Sequence, residues 1–360
     1  MESLLRILQV GNANFGYVMA KELRKKGIES DLLISREIIS GPNAVINDPR
    51  SHDNEIDSYP EWVHFAPINS RLKIFQITAI MKKYDLIHAY NATPIHAMIS
   101  KIPYIAQAGG DDLRIKAFEK SITGYLLKRA YKKADQFIYV WPIHKPLVEK
   151  LGIKNPMYLP RVWEPQNFNK NLQYVPDSKI LTMFLPTAEI WKTKGNDKFL
   201  QAFIKLCKEK NNIKLFFVDW GPDSQKAKKL LGISYVADKV EIIPGPISRE
   251  KMSEYMGKSD LLVDQFNSGS FTRMAVEAFK FGIPVLINID EEVHKEVHGE
   301  SPPVINATTS DEIFIKLKAL SDSKDILQKI ANDAKIWYEK NYELEKTLSK
   351  YVEVYKRIMK

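Results

Sequence analysis

The sequence predicts an α/β protein of two domains, and three observations predict it. Short, nearly continuous apolar runs alternate with segments of helical period from one end to the other, as expected of parallel strands buried on both faces between helix layers. The alternation stops near residue 154 and restarts near 179. The chain's 360 residues exceed one ordinary core and suit two, and its composition (44% hydrophobic, 27% charged) is that of a globular protein.

In the first half the strands are LLRILQV (4–10), SDLLIS (30–35), YDLIHAY (84–90), PYIAQA (103–108) and QFIYVW (136–141). YVMAKELRKKG (17–27) reads as a helix closed by Gly27. LRIKAFEKSITGYLLKRAYKK (113–133) reads as one amphipathic helix, with Ile115, Phe118, Ile122 and Leu126 on a stripe and Lys116, Lys120, Lys128, Arg129, Lys132 and Lys133 largely elsewhere. Residues 154–178, rich in Pro, Asn and aromatics, read as an interdomain crossover. The second-half strands are KILTMFL (179–185), KLFFVDW (214–220), KVEIIP (239–244), DLLVDQF (260–266) and PVLIN (284–288). Between them lie helices at 196–210 and at 248–259, the latter starting from a Ser N-cap. Residues 334–360 read as one or two long helices with no strand after them. Two such sheets would leave a cleft between their carboxyl ends, where open α/β sheets bind ligands.

Composition narrows the function classes. No apolar run approaches the ~18 residues of a membrane span. Glu2 and Arg6 break up the opening residues, which read as a first strand and not as a secretion signal. Cys207 is the only cysteine, so no intrachain disulfide or cysteine metal cluster can form, and a reducing cytoplasm is the natural home. The net charge is +9, and residues 1–170 carry most of the excess, with 24 basic against 17 acidic side chains. The basic segment 113–133 is either a solvated surface or a face for anionic lipid; no nucleic-acid motif accompanies it. The first βα turn, VGNANFGY, has Gly11 and Gly16 but no G-x-G-x-x-G, and the next strand ends in Ile34, Ser35 and Arg36 without an acid, which argues against a nicotinamide or flavin cofactor.

Four turns hold the candidate site residues. Gly11, Asn12 and Asn14 let a ligand approach amides at a helix start, or form only a tight turn. In GGDDLR (109–114), Asp112 could accept sugar hydroxyls or could cap the following helix. In WKTKGNDKF (191–199), Lys194 and Gly195 precede a helix capped by Asn196 or Asp197, an arrangement suited to phosphate. In VDWGPD (218–223), Gly221 could admit a base or ribose. The stretch DQFNSGSFTRMAVEAFKFG (264–282) runs from a strand through a small-residue loop into an apolar helix that carries Glu277. A buried carboxylate needs partners; vicinal ribose hydroxyls would serve, and so would a basic side chain of the protein.

Taken together, YDLIHAY, IPYIAQAGGDDLR, TKGNDKFLQAF, VEIIPGPISREKMSEYMGKSDLLVDQF and GSFTRMAVEAFKFGIPV resemble the group 1 glycosyltransferase family over nearly the whole chain. The resemblance implies GT-B architecture, two Rossmann-like domains facing across a cleft. It implies residues 1–165 as the acceptor domain, 166–335 as the nucleotide-sugar donor domain, and 336–360 as a helix crossing back. It further implies a sugar moved from a nucleotide diphosphate sugar to a hydroxyl acceptor, with retention, without metal, and with no cofactor besides the co-substrate. Glu277 would hold the ribose and Lys194 the diphosphate, while Gly269, Ser270, Phe271 and Thr272 would face the donor. The opening DQF…G resembles a subgroup from prokaryotic surface-polysaccharide pathways, so the acceptor would be a glycan or a lipid-linked glycan. The protein would then be cytoplasmic and peripheral at the inner face of the membrane, with 113–133 against anionic lipid.

Three positions depart from the family pattern. Gly269 replaces a second glutamate, Glu189 stands where a diphosphate-binding arginine is usual, and Gly109 replaces a sugar-contacting histidine. Arg273 is the expected substitute cation, with Lys192 or Arg249 in reserve. Rival readings are a nucleotide-sugar epimerase or hydrolase of the same fold, or a non-catalytic sugar-nucleotide binder.

Overall fold

The computed structural model describes residues 5–37, 58–66, 73–162 and 180–360. Most of the expected crossover at 154–178 lies outside the described residues. The chain divides into two compact units, residues 1–166 with 342–360, and residues 167–341.

The first unit holds a parallel sheet in the order β3-β2-β1-β4-β5-β6-β7. Its strands are β1 (Arg6–Val10), β2 (Glu29–Ser35), β3 (Val63–Ala66), β4 (Leu86–Tyr90), β5 (Tyr104–Ala108), β6 (Gln136–Tyr139) and β7 (Pro156–Tyr158). Strands β3 and β7 were not expected. Each is four residues or fewer, too short to show a period, and β7 opens on a proline, which an edge strand tolerates because it needs no ladder donor there. Successive residues point to opposite faces: Leu8, Ala89 and Ala106 enter one core, and Ile7, Leu86 and Ile105 enter the other.

That second core is covered by the helix Leu344–Ile358 through Leu348, Tyr351, Val354 and Tyr355. A polar bond fixes the helix at mid-strand. His88 is fully buried, donates from Nε2 to Gln107 Oε1 at 2.8 Å, and accepts from the Tyr355 hydroxyl on Nδ1 at 2.7 Å. Burial drives the His88 pKa down to about 3, so the ring is neutral. The helical tail expected as one crossing element from 336 divides at Tyr342. Asp325–Asn341 stays with the second unit, and only Leu344–Ile358 returns.

The basic segment is not one helix. Asp111–Arg114 forms a single turn, Lys116–Phe118 a 3-10 turn, and Ile122–Lys133 a helix whose N-cap Ser121 accepts from the Gly124 amide at 3.0 Å. The expected stripe holds only in part: Ile115 and Ile122 are exposed, Phe118 and Leu126 are half-buried, and Leu113, Ala117, Leu127, Ala130 and Tyr131 are the apolar residues that are buried. Among the described residues no helix is long and apolar enough to cross a membrane.

The second unit repeats the plan with the parallel order β10-β9-β8-β11-β12-β13. Here β8 is Leu181–Leu185, β9 Ile213–Asp219, β10 Val240–Pro244, β11 Leu261–Val263, β12 Val285–Ile287 and β13 Ile305–Asn306. Strand order reverses between β1 and β4 in the first unit and between β8 and β11 in the second. The crevice outside the carboxyl ends at such a reversal is where open α/β sheets take ligands.

Candidate active site

In the second unit, β8 leads into the residues before helix Trp191–Lys194, and β11 leads into Asp264 and the small-residue loop. The two loops are bonded together. The Phe266 amide donates to the Lys194 carbonyl at 2.5 Å, Lys198 Nζ to the Phe266 carbonyl at 3.2 Å, and Asn267 Nδ2 to the Trp191 carbonyl at 3.2 Å. Gly195, at φ +68°, starts helix Asn196–Cys207, and a Cβ there would lie 2.6 Å from the Asn267 side chain. This corrects the expected cap: Asn196 lies inside the helix, and its Nδ2 donates to Thr187 Oγ1 and Glu189 Oε1, both at 2.9 Å.

Lys194 sits between two buried carboxylates. Burial depresses its pKa, and Asp264 and Glu189 oppose that shift. Among the described residues its ammonium has no ion pair within 4 Å. Asp264 is fully buried; its Oδ2 accepts the Thr272 amide at 3.0 Å, and its Oδ1 has no hydrogen-bond partner among the described residues. Burial raises the Asp264 pKa to about 6 against the pull of Lys194 and the Thr272 amide. Glu189, where an arginine was expected, is also fully buried. It accepts Trp191 Nε1 at 2.9 Å in addition to Asn196, which braces both helix starts. Burial raises its pKa, and the Asn196 and Trp191 bonds offset part of the rise. The sequence reading missed Asp264; a carboxylate ending the strand before the loop was the signal for it.

Glu277 does not lack a protein partner. Arg273 Nε lies 2.6 Å from Glu277 Oε1, one helical turn away, and Lys280 also faces the carboxylate. Arg273 is thus committed to Glu277, which corrects its expected place as the substitute diphosphate ligand. Of the reserves, Lys192 is exposed, and the Arg249 side chain lies outside the described residues.

The loop residues divide. Phe271 turns into the core against Phe279, His294 and Trp337, so it does not face a donor. Thr272 is the N-cap of helix Arg273–Phe281, its Oγ1 accepting the Met274 amide at 3.1 Å. Gly269 takes φ +67° and its carbonyl accepts the Asp290 amide at 3.0 Å. Ser270 is buried, with its hydroxyl unpartnered among the described residues. Gly221 approaches its own chain: a Cβ there would lie 2.6 Å from the Glu189 amide nitrogen, so contact with a base is not what requires the glycine.

In the first unit, Gly11 takes φ +98° with Thr93 packed against it, and Asn12 caps helix Ala13–Lys25 by accepting the Phe15 amide at 3.1 Å. Asn14 is half-buried in the first turn of that helix. Asp112 is spent inside the protein. Its Oδ2 accepts the Gly109 amide at 3.2 Å and the Tyr131 hydroxyl at 2.7 Å, and its Oδ1 accepts the Gly110 amide at 2.7 Å. Neither a hydroxyl-binding role nor a cap on the basic helix describes it. The missing side chain at Gly109 has a physical account: a Cβ there would fall 2.1 Å from Arg161 Nη2, which donates to the Gly109 carbonyl at 3.1 Å. The glycine makes room for a guanidinium.

Comparison with known proteins bears on this arrangement. Residues 175–337 match the family described as glycosyl transferases group 1. An uncharacterized glycosyltransferase of Methanocaldococcus jannaschii is 21% identical over 241 residues, which span 64% of this chain and 61% of that relative. Anabaena HepE, solved with UDP and glucose, superimposes at TM-score 0.72 with 14% identity over 98% of this chain and 100% of that one. A glycosyltransferase of Rickettsia africae superimposes at TM-score 0.69 with 16% identity over 99% of both chains. The two parallel sheets with their alternating helices are the Rossmann-like pair of the GT-B fold, and residues 175–337 of the chain are similar to the group 1 glycosyltransferases.

Proposed function

We propose that the protein transfers a sugar from a nucleotide diphosphate sugar to a hydroxyl acceptor, with the nucleotide held on the second unit and the acceptor on the first. The observation that carries this is Lys194: an ammonium without an ion pair among the described residues, under the pull of Asp264 and Glu189, at the strand-order reversal of the domain that matches the family. Cleavage at the anomeric carbon builds charge on the leaving diphosphate, and a preorganised cation there stabilises the transition state more than the ground state. HepE's complex with UDP and glucose supports a uridine donor on this fold.

Glu277, oriented by Arg273, would take the ribose with its second oxygen. Family resemblance supports retention and independence of metal. The expected acceptor remains a glycan or lipid-linked glycan of a surface polysaccharide, met at the cytoplasmic face of a membrane. The exposed Ile115, Ile122 and Tyr125 among the lysines of 113–133 support that placement.

A thermal-shift panel of UDP, GDP, ADP and their sugars tests the donor. A ligand at a hundred times its Kd adds about 2.7 kcal/mol to stability, and the uridine series is expected to shift the transition. Glu277→Gln should weaken nucleotide binding while leaving the unliganded transition nearly unchanged, because a part-exposed ion pair is worth about 0–1 kcal/mol. A lowered unliganded transition with unchanged affinity would make the pair structural only. Fold alone does not separate transfer from epimerisation or hydrolysis. Free epimerised sugar, or rapid hydrolysis without acceptor, would favour those rivals, and binding without turnover would favour a non-catalytic binder. Turnover that survives EDTA and a product with the donor's anomeric configuration are the expected results.

A further inference from the structure

Arg161 follows β7 and returns to the carboxyl end of β5. Its guanidinium lies over the Phe15 ring at 4.0 Å and the Trp141 ring at 5.8 Å, and among the described residues its one hydrogen bond is to the Gly109 carbonyl. Nε is buried without a partner, and among the described residues no carboxylate lies within 4 Å of the group. Asp112 acts on the guanidinium electrostatically, and its oxygens are taken by the Gly109 and Gly110 amides and the Tyr131 hydroxyl. Burial lowers the Arg161 pKa to about 10, which still leaves it a cation at neutral pH.

A second group beside it is unfinished. His144, 1% exposed, has an unpartnered Nδ1, and its pKa falls to about 3 through burial and the nearby charges of Arg114 and Arg161. The ring is therefore neutral and keeps a nitrogen with nothing to bond. Arg161 is half-buried with its Nε sealed from water, and a buried donor and a buried ring nitrogen with their bonds unmade are costly unless a ligand completes them. Arg114 is paired with Asp111 at 2.7 Å, so among the described residues Arg161 is the cation at this place left without a carboxylate.

We propose that the carboxyl end of β5 in the first unit is an oxyanion site built on Arg161, so that the molecule held there carries a phosphate or a carboxylate. Under the transferase reading that molecule is the acceptor, and its class becomes an acidic or phosphorylated glycan; the site itself does not depend on that reading. The aromatic rings under the guanidinium hold its plane and leave its remaining N–H groups for a planar or tetrahedral oxyanion.

The test is calorimetric titration of the full chain with a hexose phosphate, a hexuronate and the matching neutral hexose, using native protein, Arg161→Gln, Arg161→Lys and Lys194→Ala. The anionic sugars are expected to bind and the neutral hexose to bind more weakly. Arg161→Gln should lose roughly tenfold to a hundredfold in affinity for the anions, the scale of charge-assisted bonds. Arg161→Lys, which keeps the charge, should retain more, and Lys194→Ala should retain nearly all. Phosphate and carboxylate arms show which oxyanion fits. Equal affinity of native protein and Arg161→Gln, or loss only in Lys194→Ala, overturns the site. If Arg161→Gln does not fold, native protein and Arg161→Lys decide, since an unbroken guanidinium preference over ammonium is then required. Anion binding at Arg161 without nucleotide binding would remove the transferase reading and leave this site; the reverse would remove this site alone.

Discussion

Asp264 is the residue whose chemistry can be read most directly. Its folded pKa of about 6 lies above the usual 3.8, so the native state binds the proton more tightly than the unfolded chain. The sign follows: this group's contribution is greatest below about pH 4 and is lost as pH rises through about 6. Asp264→Asn keeps an acceptor for the Thr272 amide and removes the ionisation. Relative to the native chain, the variant should gain on the order of 2–3 kcal/mol between pH 4 and pH 7.5; parallel pH profiles would show that Asp264 is ionised without penalty. Lys194→Ala should lower kcat with little change in the unliganded melting temperature, since among the described residues its ammonium bridges no carboxylate within 4 Å.

The Arg273–Glu277 pair was legible in the sequence as an i,i+4 spacing on an apolar helix; the reading left a basic side chain open as the acid's partner but set Arg273 aside for the diphosphate. Arg161 was not legible. It is 52 positions from Gly109, and only the fold brings the guanidinium to the place the glycine leaves.

At the scale of elements, long buried strands announce themselves and short ones do not. The strands β1, β4, β5, β8 and β9 run five residues or more and are mostly apolar and buried, whereas the two residues of β13 have no pattern to show. The basic segment misled for a physical reason. Helical period across a Ser N-cap looks continuous in sequence, but Ser121 ends one hydrogen-bonding system and begins another. Its exposed Ile122 and Tyr125 beside Lys128 and Arg129 should carry the protein onto anionic vesicles at low salt. Flotation unaffected by lipid charge would remove the membrane placement.

The helix Leu344–Ile358 makes a firmer case. Leu348 is fully buried against Ile7, Leu86 and Ile105. Leu348→Ala should cost about 2–5 kcal/mol, read by denaturant unfolding. A cost below about 1 kcal/mol would mean that the helix is loosely docked.

On the scale of the whole molecule, two units of similar plan have different standing. The second carries the match to the group 1 family, and its site was mostly visible in the small-residue loop and the lysine before a helix. The first was legible as a fold and scarcely as a site, because its polar groups come from separate strands that meet only after folding. The path of the chain adds a consequence for biosynthesis. Residues 167–341 are all synthesised while the earlier residues still lack the helix that seals one side of their sheet. Maturation therefore runs against the order of translation, and the nascent amino-terminal half presents a greasy face, a natural handhold for chaperones, until Leu344–Ile358 arrives.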